Sequence, residues 1–231
     1  MSSANRPVTR LDDPLFRQLD LDGASHRSPA GPFPADDVER VRLPRDTAAL
    51  LIIDAQRSFT AGVWMQSMGP DGERQVEPIR LAFSRLAHLL GEEPPSDVMF
   101  TRCPFPPDSY GWDAALDDMI HPRQPYFIKP GNSVLWPPDN GFTGWVERLL
   151  RRRRRTLVLA GCTLNSCVRV SAIDTQRRFG GELQVVVDPA LCGARRDNYL
   201  PAPQFGGRSS VESALDQMRL AGVRVAQIDW C

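Results

Sequence analysis

The sequence predicts a single α/β domain in which helices cover both faces of a parallel sheet. Six short apolar segments alternate along the chain with segments of helical periodicity, and residues able to do chemistry stand at the ends of several apolar segments. Strands that alternate with helices favour parallel pairing through crossover helices. The chain has 231 residues, which suffices for one substantial domain of this kind and is too short for two full ones.

The first predicted strand is the apolar run 48–53, which ends at Asp54. A continuous apolar run of this length is typical of a strand buried on both faces. Five further strands are predicted at residues 97–101, 126–128, 156–160, 183–187 and 223–228. Helices are predicted between them at residues 76–90, 142–150, 167–179 and 209–220.

The N-terminal residues 1–45 differ from the rest of the chain. They are rich in proline, aspartate and arginine and show no regular periodicity, although Leu15, Phe16 and Phe33 supply apolar side chains that could pack. We therefore predict an extended arm at residues 1–45, followed by the domain at residues 46–231.

The composition argues against several classes of partner. Twenty-eight basic residues balance 28 acidic ones, so the net charge favours neither a nucleic-acid nor a membrane partner, and the run Arg151 to Arg155 is interpreted as a solvated helix end. The three histidines lack metal-ligand spacing. The five cysteines include no Cys-x-x-Cys pair, which indicates reduced thiols. We expect a cytoplasmic protein without metal or organic cofactor.

Three residues with chemical potential follow predicted strands. Asp54 ends the first strand, Lys129 ends the third, and Cys167 follows the fourth across a short loop. Ligands of open parallel sheets bind beyond the carboxyl ends of the strands, which predicts a site there. Lys129 is also the single lysine among the 28 basic residues.

Cys167 is predicted to open a helix, where the positive end of the helix dipole stabilises a thiolate. Free N–H groups in such a turn can also hold an oxyanion. The alternative is that Cys167 is a small buried apolar residue, and the pattern alone leaves both interpretations open. Asp54, directly after a buried strand, is suited to exchange protons with a thiol and a leaving amine.

Three motifs give the chain a resemblance to the isochorismatase-like cysteine hydrolases. Asp54-Ala55-Gln56-Arg57-Ser58-Phe59 resembles the family's Asp-x-Gln-x-x-Phe, and Lys129-Pro130-Gly131-Asn132-Ser133 is similar to its lysine followed four residues later by serine. Gly161-Cys162-Thr163-Leu164-Asn165-Ser166-Cys167-Val168 resembles Gly-x-Thr-x-x-x-Cys-Val. The resemblance extends over residues 47–228.

The resemblance implies a three-layer α/β/α fold with a six-stranded parallel sheet, and roles for the matched residues. Cys167 would attack a carbonyl to form a thioester, Asp54 would move the proton, and Lys129 would orient Asp54. The family often has a cis peptide bond at the position of Cys162–Thr163, which would direct the N–H groups of Thr163 and Cys167 at an oxyanion. In the family's strand order the third strand lies about 10 Å from the first. The loop with Lys129 is therefore expected to fold back.

Further expectations concern the substrate contacts and the assembly. Side chains near the expected site that could contact a small-molecule substrate are Phe59, Trp64, Trp136 and Asn165. Members of the superfamily commonly form oligomers, which implies a homo-oligomer, a dimer or tetramer. The arm at residues 1–45 could form part of its interface.

Departures from the family's branches favour amide chemistry. Nicotinamidases carry an Asp/His-rich metal-binding segment after the second strand, where this chain has Thr101-Arg102-Cys103-Pro104-Phe105. Isochorismatases that cleave a vinyl ether generally lack the nucleophilic cysteine, which is present here. The expected function is hydrolysis of a C–N bond in a small amide or carbamoyl compound. The alternatives are vinyl-ether hydrolysis and a non-catalytic binding protein on the same fold.

Overall fold

A computed structural model describes residues 38–231 of the chain. Residues 1–37 of the predicted arm lie outside the described residues. They include Leu15, Phe16 and Phe33, for which packing was predicted. No helix within the described part is long and apolar enough to cross a membrane.

A parallel sheet flanked by helices forms the centre of the domain, which confirms the predicted α/β fold. The sheet has seven strands rather than six, in the order β1-β9-β6-β5-β2-β3-β4, and β7 and β8 form a separate antiparallel pair. The strands are β1 (Glu39–Leu43), β2 (Ala48–Ile53), β3 (Asp97–Arg102), β4 (Tyr126–Ile128), β5 (Thr156–Cys162), β6 (Gln184–Gly193), β7 (Pro201–Ala202), β8 (Arg208–Ser209) and β9 (Arg224–Trp230).

The additional strand, β1, lies within the segment predicted as part of the arm. It pairs in parallel with β9, so that Glu39 lies opposite Ala226. Its sequence alternates charged and apolar residues, and only Val41 and Leu43 pack against the core. Because an edge strand buries one face and tolerates charges on the other, it lacks the continuous apolar run on which the other predictions depended.

The helices lie on both faces of the sheet. They are α1 (Val63–Gln66), α2 (Gly72–Gln75), α3 (Glu77–Glu92), α4 (Pro107–Tyr110), α5 (Phe142–Arg151), α6 (Arg169–Phe179) and α7 (Ser210–Leu220). Helix α3 packs on one face, together with Leu50 and Ile52 of β2. Helices α5, α6 and α7 pack on the other face, against Ala49, Leu51 and Ile53. Strand β2 is thus buried on both sides, as its apolar run predicted.

The segment around Cys167 differs from the prediction that an α-helix begins at Cys167. Residues Leu164–Val168 form a π-helical turn, and α6 begins only at Arg169. The N–H of Val168 donates to the carbonyl of Thr163, five residues earlier, at 3.2 Å. This wider hydrogen-bonded ring holds Cys167 in the turn that precedes the helix.

Strand β6 continues well beyond the predicted end at residue 187. The next residue, Asp188, is buried, and its carboxylate accepts N–H groups from Ala190 (2.9 Å) and Ile228 (3.0 Å). The bond from Ile228 joins β6 to β9, and the bond from Ala190 lies within β6, where the register with β5 shifts. These backbone bonds satisfy the buried Asp188 carboxylate. In the sequence, the charged residue at this position had instead indicated the end of the strand.

Candidate active site

Asp54 lies at the carboxyl end of β2 and is fully buried. Its backbone has a positive φ of 48°, a left-handed conformation that aspartate tolerates better than most residues. The hydroxyl of Thr101, on the adjacent strand β3, donates to Asp54 Oδ1 at 2.6 Å and accepts the Asp54 N–H at 3.0 Å. These two bonds fix both the backbone turn and the orientation of the carboxylate.

Lys129 reaches Asp54 from β4, two strands away. Its main-chain N–H remains bonded to Arg102 O on β3 at 2.8 Å, so the side chain, rather than a folded-back loop, spans the distance. The ammonium Nζ lies 2.7 Å from Asp54 Oδ2 and donates to Gly131 O at 2.8 Å. Both members of the ion pair are fully buried.

The surroundings of Lys129 keep it charged. Burial lowers the pKa of the ammonium, but the charge of Asp54 and the thiols of Cys167 and Cys103 outweigh burial, so the pKa is raised above its ordinary value. The pair is therefore a buried ammonium beside a buried carboxylate.

The turn that carries Cys167 follows β5 directly. Gly161 has a φ of 107°, and a Cβ at this position would lie 2.1 Å from the main-chain oxygen of Ile53. Glycine is therefore required where β5 passes β2 at the site. The next peptide bond, Cys162–Thr163, is cis. Cys162 is fully buried, and its thiol donates to the main-chain oxygen of Asp54 at 3.3 Å.

Cys167 is 8% exposed, and its Sγ lies 3.4 Å from Asn132 Oδ1. A hydrogen bond with the Cys103 thiol lowers the pKa of Cys167, and Lys129 acts in the same direction. Burial and the negative charge of Asp54 oppose these effects, but the pKa remains below its ordinary value. The surroundings therefore make the thiolate of Cys167, the nucleophilic form, easier to reach than in an ordinary cysteine.

Cys103 is a member of the site that sequence reasoning missed. Its thiol donates to Asp54 Oδ2 at 3.2 Å, lies 3.7 Å from Lys129 Nζ and interacts with Cys167. The hydrogen bond with Cys167, followed by burial and the charge of Asp54, raises the pKa of Cys103 above its ordinary range. The Cys103 thiol therefore interacts with both Asp54 and Cys167.

The signal for Cys103 was present in the sequence. It lies two residues after the second predicted strand, close to the strand-end position that singled out Asp54 and Lys129. Gln56, in the motif of Asp54, holds the Cys103 main chain on both sides: Oε1 accepts its N–H at 2.6 Å and Nε2 donates to its carbonyl at 3.0 Å. The structure thus assigns Gln56 a positioning contact that the motif alone does not reveal.

Asn132, which was also missed, is held by helix α6. Ser171 donates to the Asn132 carbonyl at 3.0 Å and accepts the N–H of Val134 at 3.0 Å. The loop after Lys129 is therefore fastened to the helix that follows Cys167, which fixes the Asn132 amide beside the thiol.

The four residues predicted to contact substrate are placed differently from one another. Phe59 is buried and packs edge-to-face with Trp64 at 5.2 Å between ring centroids, within the core on the α3 face. Asn165 donates to Ser210 Oγ at 2.9 Å, at the start of α7. Trp136, in contrast, is 55% exposed and lies beside the loop after Lys129.

The run of five arginines lies away from this site. Arg152 and Arg154 both pair with Asp97 at the start of β3, at 3.0 and 3.1 Å. Arg155 pairs with Glu182 at 3.6 Å. The run precedes β5 and lies at the amino ends of the strands, whereas Asp54 and Cys167 lie at the carboxyl ends. Within residues 38–231, no three His, Cys, Asp or Glu side chains are grouped as they would be to hold a metal ion.

Solved structures with this fold include proteins of different activities. A ribonuclease, MAR1 of Caenorhabditis elegans, has 20% identity and a TM-score of 0.53, with 81% of this chain and 80% of that one covered. The nicotinamidase PncA of Bacillus subtilis has 20% identity and a TM-score of 0.53, covering 78% and 99%. The YcaC gene product of Escherichia coli, an octameric hydrolase of unknown specificity, has 22% identity and a TM-score of 0.51, covering 81% and 78%.

Sequence comparison identifies the family more directly than these distant structures do. A search of curated proteins gives no significant match. The model of the isochorismatase domain family, however, matches residues 48–228, from the first residue of β2 into β9. That span contains Asp54, Lys129 and Cys167, and the fold agrees with the one the motifs implied. The chain therefore belongs to the isochorismatase domain family.

Proposed function

We propose that the protein is a cysteine-dependent hydrolase that cleaves a C–N bond of a small amide or carbamoyl compound. The observation that carries the proposal is the buried Asp54–Lys129 pair beside Cys167, whose pKa is lowered. Burying a charged pair is unfavourable unless the geometry is good, and such pairs with perturbed neighbours concentrate at functional sites. The nicotinamidase among the structural relatives supports amide chemistry.

In the first step, Cys167 Sγ attacks the carbonyl carbon of the substrate. The thiol proton leaves towards Asp54, whose carboxylate carries the adjacent negative charge. The backbone N–H groups of Thr163 and Cys167, in the turn formed after the cis peptide, would stabilise the oxyanion. Collapse of the tetrahedral intermediate breaks the C–N bond, and the amine leaves with the proton from Asp54.

In the second step, water hydrolyses the thioester. Asp54 accepts a proton from the attacking water, and the acid is released as the Cys167 sulfur leaves and recovers its proton. Lys129 remains charged throughout and keeps Asp54 Oδ2 oriented by the 2.7 Å contact. Lys129 is therefore a positioning residue in this mechanism.

Among the predicted substrate contacts, we retain Trp136 because it is exposed beside the loop of Lys129 and Asn132. The core packing of Phe59 and Trp64 and the Ser210 bond of Asn165 favour supporting roles for these three. Because three of the five arginines of the run pair with acids and the run lies at the opposite ends of the strands from Cys167, we propose a small-molecule substrate rather than a nucleic acid.

The first experiment needs no substrate. Iodoacetamide alkylation of each cysteine is followed by peptide mass spectrometry between about pH 5 and pH 9. Cys167 should react at lower pH than an ordinary thiol. Because the charge of Asp54 raises the pKa of Cys167, Asp54→Asn should shift the reaction to still lower pH, whereas the exposed control Asp216→Asn should not. An inert Cys167 that a small neutral thiol reagent can still reach would refute the nucleophile assignment.

The second experiment is a screen for ammonia or amine release from small amides and carbamoyl compounds. We expect Cys167→Ala to lower kcat by at least about 1,000-fold, and Cys231→Ser, at the exposed terminus, to be the matched control. Hydrolysis of a vinyl ether that survives Cys167→Ala would support the ether-hydrolase alternative. Ligand affinity unchanged by Asp54→Asn, with no turnover, would support a binding protein. Cleavage of RNA in the same screen would contradict a small-molecule substrate.

We also propose a homo-oligomer in the cytoplasm. The octameric YcaC relative, 22% identical to this chain, supports association. Light scattering coupled to size exclusion should give a mass above that of one chain of 25.8 kDa. If a chain that starts near Val41 remains associated, the N-terminal arm is not the interface.

A further inference from the structure

Two thiols meet in the site, and only one is needed as a nucleophile. Cys103 follows β3 and Cys167 follows β5, on either side of the end of β2, and their side chains share a hydrogen bond. Cys103 has a single S–H, so it donates either to Asp54 Oδ2, at 3.2 Å, or to the thiolate of Cys167. The hydrolysis described above assigns no step to this second sulfur.

The position of Cys103 is fixed by its surroundings. Gln56, fully buried, bonds both the N–H and the carbonyl of Cys103, at 2.6 and 3.0 Å. Lys129 lies 3.7 Å from its Sγ. Cys103 is half-buried, whereas Cys162 and Cys192 are fully enclosed thiols, and Cys231 lies at the exposed C-terminus. A reactive thiolate with a second, accessible thiol in contact is the arrangement of redox-sensor cysteines.

We propose that Cys103 and Cys167 form a reversible disulfide when the protein meets a hydroperoxide, and that Cys103 acts as the resolving thiol for an oxidised Cys167. The ammonium of Lys129, close to both sulfurs, stabilises the anionic form that the first step requires. The disulfide would occupy the nucleophile and protect it from irreversible oxidation.

The chemistry balances with hydroperoxide as the oxidant. The Cys167 thiolate attacks the outer oxygen of the hydroperoxide, the O–O bond breaks, and the departing alkoxide or hydroxide takes a proton from water. This step leaves a sulfenic acid on Cys167. The Cys103 thiol then attacks the Cys167 sulfur, the S–O bond breaks, and the oxygen leaves as water with the thiol proton. The two thiols together lose two electrons, and the peroxide bond gains them.

Disulfide formation is independent of the substrate of the enzyme. Only its consequence, a reversible loss of hydrolysis, rests on the proposed function. A readout by mass therefore separates the two proposals, because the linked peptide can be present even if no amide is hydrolysed.

The test treats the full chain with hydrogen peroxide, in a Cys231→Ser background that removes the exposed thiol. Peptide mapping without reduction should recover a Cys103–Cys167 linked peptide that lacks two hydrogen atoms, and dithiothreitol should restore both free peptides. Alkylation of Cys167 should fall at least about tenfold after peroxide and recover after reduction. In Cys103→Ser, Cys167 should instead proceed to sulfinic acid, which dithiothreitol does not reverse.

Two results would overturn the proposal. One is a Cys167 that reaches sulfinic acid equally fast with and without the Cys103 thiol. The other is a linked peptide that joins Cys167 to Cys162 or Cys192 instead. The mapping of the Cys231→Ser protein decides the question even if Cys103→Ser does not fold, because absence of the Cys103–Cys167 peptide is itself a refutation.

Discussion

Replacement of Lys129 by methionine should strongly destabilise the fold, although the two side chains are similar in length. Lys129 and Asp54 are both fully buried, and their charged atoms lie 2.7 Å apart. Removing one member of a buried pair leaves the other charge uncompensated, which costs about 3–5 kcal/mol. The Thr101 hydroxyl still bonds Asp54 Oδ1, at 2.6 Å, but it carries no charge to compensate the carboxylate.

The double variant distinguishes charge from packing. If the cost arises from the stranded carboxylate, then Lys129→Met with Asp54→Asn should be more stable than Lys129→Met alone, by at least about 1 kcal/mol. A pure packing defect would instead add the cost of the second substitution to that of the first.

Urea unfolding, followed by fluorescence, measures these free energies. The matched control is Arg155→Met, which breaks the exposed ion pair with Glu182 and should change the free energy of unfolding by less than about 1 kcal/mol. A Lys129→Met cost no larger than that of the control, or additive behaviour of the double variant, would refute the view that the pair is held as charges.

Two further predictions concern stability near the site. Burial raises the pKa of Asp188 to about 6, so the folded protein holds this proton more tightly than the unfolded chain, and the contribution of Asp188 to stability falls as pH rises from about 4 to 6. The free energy of urea unfolding of wild type minus that of Asp188→Asn should decline by about 2 kcal/mol over that window, and a flat difference would contradict it. Gly161→Ala should cost more than about 2 kcal/mol, because its Cβ would lie 2.1 Å from Ile53 O; a change below about 0.5 kcal/mol would show that the turn relaxes easily.

The buried strands and long helices could be predicted because their patterns are strong. The six apolar residues of β2 are all buried, and the helix predicted at residues 76–90 is α3, Glu77–Glu92. The prediction for β4, residues 126–128, agrees with the structure at both ends. For β2 and α3, local periodicity and burial specify the same element, so no tertiary contact was needed to identify it.

Elements that depend on tertiary partners were missed or misplaced. The strand β1 is half-buried only because β9 lies beside it, and β6 continues through Asp188 only because backbone N–H groups of two segments bond that carboxylate. The π-helical turn at Cys167 contains a hydrogen bond from the Val168 N–H to the Thr163 carbonyl, and the periodicity of the sequence does not predict this bond. The hydroxyl of Thr101 orients Asp54, but threonine is common in strands, so the sequence does not distinguish it from an ordinary strand residue.

The single lysine of the chain now has a structural explanation. An ammonium is a compact charge with three donors, and Lys129 Nζ contacts Asp54 Oδ2, Gly131 O and Cys103 Sγ in a space closed to solvent. The planar guanidinium of arginine is larger and presents its donors in a fixed fork, which suits bidentate carboxylate contacts rather than three acceptors around one point. A chain that otherwise uses arginine for its basic residues would retain lysine at such a position. The same geometry places one cation against the Asp54 carboxylate and the Cys103 sulfur, and that cation also lowers the pKa of Cys167. The proposed proton transfer and the proposed oxidation would therefore depend on one charge.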